Sequence, residues 1–180
     1  AASDVYKRQA VACTNRSTSS EQDEMRHWNN VLQQINALLL ENKARQTLDL
    51  AKQTLPEILE SAEKNGTTDT LIYYARKIFN ACGNNYINTK QYKDGIDYMD
   101  SIGNHPLIRE HCPHELLSFK AGLNQLYGNN PEAVRLAEDY LQLPVCTSAN
   151  DFIRQAEIIS GVYMYSGNNL PKAIQILEKA

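Results

Sequence analysis

Residues 79–106, FNACGNNYINTKQYKDGIDYMDSIGNHP, hold the spacing that decides the fold. Counted from Phe79, Gly95, Met99 and Ile102 stand at +16, +20 and +23, and Pro106 at +27. Upstream, Trp28, Ala44, Leu48 and Ala51 repeat the first three intervals, with Pro56 at +28. Downstream, Ala133, Ala137 and Tyr140 keep the steps of four and three and are followed by Pro144. Ala173, Leu177 and Ala180 keep those steps once more. Steps of four and three follow one face of a helix, so each copy predicts a helix with small residues on its packing face. Internal repeats of this kind fix an architecture before any single residue does.

The turns repeat as well. Gly128-Asn129-Asn130-Pro131-Glu132-Ala133 and Gly167-Asn168-Asn169-Leu170-Pro171-Lys172-Ala173 are one turn, the second with a residue inserted. Lys90-Gln91-Tyr92-Lys93-Asp94-Gly95 occupies the same place in the earlier copy. Gly before Asn-Asn suits a helix stop, because Gly accepts the left-handed conformation. Pro near a helix start loses no bond that would otherwise form. On the preceding helix, Phe79 is a bulky anchor, Gly83 a small residue one turn on and Tyr86 a further turn on. That order predicts that the two helices of one unit approach closely at Gly83.

Together these features resemble the tetratricopeptide repeat, a pair of antiparallel helices of about 34 residues used to bind other proteins. The resemblance covers about residues 25–180. It implies an all-α fold, a right-handed α-solenoid of antiparallel helix pairs with about four units, the last one truncated. Some features depart from the family pattern. The small-residue positions 44, 95, 133 and 173 lie 51, 38 and 40 residues apart. Leu32 stands where the family prefers Gly, and an irregular insert is expected near residues 57–69. The stripe Leu116, Phe119, Leu123, Leu126 runs one residue out of register with its turn.

Composition agrees with an all-helical reading. No stretch alternates as a strand would, while Met25, Trp28, Leu32, Ile35 and Leu39 form one helical stripe and Ala44, Leu48, Ala51, Leu55 and Ile58 another. The formal net charge is −3 with basic residues scattered, which argues against a nucleic-acid surface. No apolar run reaches the length of a membrane span. The chain has no initiator Met and stops inside a repeat, so a fragment of a longer protein is expected.

The chain divides into three parts. Residues 1–9, AASDVYKRQ, look like translated sequencing adapter and carry no fold information. Residues 10–22 begin Ala10-Val11-Ala12-Cys13, which resembles the end of a bacterial lipoprotein signal, followed by a polar tether. That resemblance implies lipidation at Cys13 and attachment to a membrane on the periplasmic side. No acidic run follows Cys13, which favours the periplasmic face over surface export. Residues 23–180 are the repeat domain.

Chemistry-bearing residues are sparse. His105, His111, Cys112 and His114 are the one cluster with metal-ligand chemistry, but Pro106 and Pro113 mark the stretch as a connection, and no Cys-x-x-Cys or His-Glu-x-x-His occurs. No metal and no cofactor are therefore expected. Cys82 falls at a helix packing position and reads as core filler. Cys112 and Cys146 lie in successive connections, and the sequence leaves their pairing open. No nucleophile elbow, phosphate loop or tuned carboxylate pair is present, so the segment reads as non-catalytic.

The family resemblance implies a concave groove lined by the first helix of each pair, taking a peptide or partner helix. Matching positions are Asn80 and Asn84, one turn apart, with Arg154 and Glu157 further on. Side-chain amides at such positions can bond a ligand backbone. The layout resembles Bacteroides-type tetratricopeptide lipoproteins, or the sensor half of repeat-containing histidine kinases, and implies a protein-interaction or sensor scaffold outside the cytoplasm. The alternative is a free-standing lipid-anchored lipoprotein that captures a nutrient or glycan. That reading needs aromatics presented together, with Tyr73 and Tyr74, or Tyr163 and Tyr165, as the candidates.

Overall fold

A computed structural model describes residues 22–144 and 149–179, the side chains of 149–152 excepted. Cys13, Cys146 and the adapter-like and tether segments before residue 22 lie outside the described residues. All regular structure among the described residues is helical. The elements are α1 (residues 22–40), α2 (Ala44–Asn65), α3 (Asp69–Asn88), α4 (Tyr92–Ile102), α5 (Pro106–His111), α6 (Pro113–Tyr127), α7 (Asn130–Gln142), α8 (Ala149–Tyr165) and α9 (Leu170–Lys179).

Hairpin turns join α1 to α2, α3 to α4, α6 to α7 and α8 to α9. In the first three, one backbone device recurs. Asn42, Lys90 and Gly128 each take the left-handed conformation, with φ of 55°, 58° and 95°. The next N–H then reaches back five residues, from Lys43 to Leu38, Gln91 to Tyr86 and Asn129 to Asn124, at 2.9, 3.1 and 2.9 Å. These bonds satisfy carbonyls that the helix end would leave orphaned. Lys43, Gln91 and Asn129 also share one backbone shape, with φ of −89°, −89° and −84° and ψ of 59°, 57° and 67°. In the fourth turn Asn168, not Gly167, is left-handed, and Asn169 N–H reaches back six residues to Tyr163. That is the inserted residue expected from the sequence. Glycine is thus present at only one of the four left-handed sites.

The turns also correct the register of the first copy. Four residues beyond the shared turn residue stand Thr47, Gly95, Ala133 and Ala173, all buried. Thr47, rather than Ala44, is therefore the counterpart of Gly95. Its hydroxyl donates to the Lys43 carbonyl at 3.0 Å, so a polar side chain is accommodated in a buried small-residue position. Ala44 was a plausible match only because alanine suits either place.

The irregular insert expected near residues 57–69 is absent. α2 continues through Pro56 to Asn65, and only residues 66–68 separate it from α3. An interior proline costs about 3 kcal/mol. Ile58, Leu59 and Ala62 extend the buried face of Leu48, Ala51 and Leu55 beyond it. Burying one such aliphatic side chain gains about 1.5–3 kcal/mol, so two of them outweigh the broken bond. α3 opens on Thr68, whose hydroxyl accepts from Leu71 N–H at 3.3 Å.

Each second helix of a pair lies against the first helix of the next: α2 on α3, α4 on α6 and α7 on α8. The first helices also meet, α3 with α6 and α6 with α8. α6 is central, which explains why its buried set (Ser118, Phe119, Ala121, Gly122, Leu123) covers more than one face while Leu126 is exposed. It gives Phe119 and Leu123 to a core shared with α1–α5, and Ala121 to a core shared with α7–α9. Gly83 does not serve its own pair. A Cβ there would stand 2.5 Å from Phe119 Cγ, so the missing side chain admits α6. Gly122 likewise makes room for Ile158 of α8. Within its own pair, close approach occurs at Gly95, where a Cβ would lie 3.0 Å from Tyr86.

Candidate functional site

α1 and α3 lie side by side and enclose a recess of about 360 Å³. α1 contributes Leu32, Ile35, Asn36 and Leu39, spaced three, four and seven residues apart, which places them on one face. α3 contributes Tyr73, Lys77, Asn80 and Asn84 at the same kind of spacing. The floor is apolar and the α3 wall carries amide and ammonium groups. Lys77 Nζ sits 5.9 Å from the Tyr73 ring centroid, within cation–π range.

Asn80 and Asn84, expected on one face, both line this recess. Arg154 joins them from α8: its Nε donates to Asn84 Oδ1 at 2.8 Å across 70 residues of sequence. Asn84 and Arg154 are therefore partners of each other, while Asn80 lines the recess. Glu157 lies on α8 with an exposed side chain, and its backbone carbonyl accepts from the Ser160 hydroxyl at 2.9 Å. It does not line the recess. Sequence reasoning missed Lys77 and the α1 side of the recess, and it named Tyr73 only as half of an aromatic pair. The stripe Leu32, Ile35, Leu39 was visible, but nothing in the sequence said that part of it faces α3 across an open gap.

The histidine cluster disperses. His105 bonds Glu63 at 3.1 Å through Nε2 and accepts Leu107 N–H through Nδ1 as the cap of α5. The His111 carbonyl accepts from Arg76, and His114 Nε2 donates to the Pro144 carbonyl at 2.6 Å. Cys112 is buried. Among the described residues no group of three or more His, Cys, Asp or Glu side chains could hold a metal ion. Cys82 is fully buried beside Tyr98, whose hydroxyl lies 3.7 Å from its sulfur. Burial pushes the Cys82 thiol up to about 12, so it is neutral at ordinary pH and a poor nucleophile.

Glu115 is buried in an ion pair with Arg76 at 3.1 Å, tying α6 to α3. The two tyrosine doublets differ, and only Tyr73 and Tyr74 meet edge-on, with ring centroids 5.4 Å apart. Tyr73 is exposed while Tyr74 turns inward against Trp28, with centroids 5.8 Å apart. Tyr163 is buried and Tyr165 exposed. Among the described residues no helix is long and apolar enough to cross a membrane. No protein-family model matches the chain, and neither a curated protein nor a solved structure matches it.

Proposed function

We propose that the chain is a tetratricopeptide-like, right-handed solenoid that works by binding, taking a peptide or a partner helix along the face formed by the first helices of its pairs. The observation that carries this reading is the α1–α3 recess, an apolar floor beside a wall of amides and one lysine. An amphipathic helix or extended peptide presents the matching features, an apolar edge with backbone or acidic groups beside it. Supporting the repeat reading are the hairpin turns, which reuse one left-handed residue and one reach-back bond. The glycan-capture alternative would rest on Tyr73 and Tyr74, whose rings meet edge-on at 5.4 Å, since Tyr163 is buried beside the exposed Tyr165.

We also propose that Cys13 is lipidated and holds the domain at a periplasmic membrane surface, where it acts as a scaffold or as the input module of a kinase. Replacing Cys13 by Ala in a gene with an intact leader is expected to move the protein from the membrane to the soluble fraction. Selection from a displayed peptide library tests the groove. The expected result is a set of peptides whose binding is lost in Asn80→Ala and Lys77→Ala but kept in Lys93→Ala. Enrichment unaffected by the recess substitutions would contradict the reading.

A further inference from the structure

A second hollow, sharing no residue with the α1–α3 recess, lies between the end of α7, the start of α6 and α9, and measures about 250 Å³. Its apolar lining comes from Tyr140, Leu141, Leu143, Ala156 and Ile176. Among the described residues its charged lining is of one sign. Lys172 and Lys179 border it from α9, and among the described residues no Asp or Glu lines it, although the chain carries a net charge of −3. Among the described residues neither lysine makes an ion pair. Lys172 is half-buried, and its Nζ lies 4.4 Å from the Tyr163 ring centroid, a cation–π distance. His114, edge-on to Tyr140 at 5.7 Å and bonded to the Pro144 carbonyl, closes another side.

A ligand for such a hollow needs an apolar body and one anionic head. A neutral apolar molecule would leave the half-buried Lys172 ammonium without an anionic partner, which is unfavourable. A small hydrophilic anion would leave the floor unused. At about 30 Å³ per heavy atom the cavity holds a chain of about eight atoms. We propose that the hollow between α7 and α9 is a binding site for a small monocarboxylate carried on an aliphatic or aromatic chain, with Lys172 and Lys179 neutralising the head. The site is independent of the protein-binding groove.

Titration of the isotope-labelled full chain with octanoate, octan-1-ol and acetate, followed by amide chemical shifts, tests it. Octanoate is expected to give saturable shifts at Tyr140, Leu141, Gln175 and Ile176, with the alcohol and acetate each at least about tenfold weaker. Lys172→Gln/Lys179→Gln is expected to weaken octanoate by about tenfold or more while its thermal midpoint matches the wild type. The single substitutions, measured alongside, keep the test valid should the double variant fold poorly. Equal binding of octanoate and octan-1-ol, or octanoate shifts that scatter over the surface without saturating, would overturn the proposal.

Discussion

Gly83 of α3 and Gly161 of α8 are both interior helix glycines, and what faces each decides what alanine would do there. At Gly83 an added Cβ meets the Phe119 ring, itself buried and edge-on to Phe79 at 6.1 Å. At Gly161 the nearest atom is the Gln125 amide oxygen at 3.8 Å. Gly83→Ala is expected to destabilise by about 1–3 kcal/mol through overpacking. Gly161→Ala is expected to stabilise by up to about 1 kcal/mol through helix propensity. Urea denaturation of both variants checks the pair, and equal effects would contradict the α3–α6 packing. Cys82 gives a second prediction at this scale. Burial pushes its thiol up to about 12 in the folded protein, from 9.0 for a thiol in water. Because the folded value is the higher, its contribution to stability is fully present below 9.0 and is lost as pH rises toward about 12. The urea midpoint should fall more steeply over that window in the wild type than in Cys82→Ala. Iodoacetamide at pH near 8 should leave the Cys82 peptide unmodified in native protein and label it in urea, as mass spectrometry would show.

At the scale of elements, α2 shows how far the sequence could be read. The stripe Ala51, Leu55, Ile58 was legible across Pro56, yet proline argued for a helix end there, and tertiary burial of Leu59 and Ala62 decided otherwise. Pro56 is exposed, so its ring contributes little packing. Pro56→Ala is expected to raise stability by about 1–3 kcal/mol, since it restores the hydrogen bond to the Lys52 carbonyl. A loss of stability in thermal melts would mean that the proline fixes a bend the fold needs. Turns were half legible. Gly-Asn-Asn marked two of them, but Asn42 and Lys90 adopt the left-handed state without glycine, which spacing alone could not reveal. Helix existence followed from the four-and-three steps. Register in the first copy did not, because Ala44, Thr47 and Ala51 are all small enough to pass for the packing residue.

Over the whole molecule, contacts run from each helix to its near neighbours in the chain, and α6 links the two buried clusters. This stepwise packing sets α3 against α6 and α6 against α8, and it brings Arg154 onto Asn84 from 70 positions away. Asn80 and Asn84 were legible as candidate residues on one face, but the recess they line was not. Leu32, Ile35 and Leu39 of α1 form its other side, and spacing along the chain carries no measure of the gap between α1 and α3. The measurement that bears most directly on the binding role is amide chemical-shift mapping of a library-selected peptide on the labelled domain. The account predicts perturbations at Leu32, Asn36, Tyr73, Lys77 and Asn80, with α4 and α7 unchanged. Perturbations centred on α4 and α7, with the α1–α3 recess silent, would contradict it.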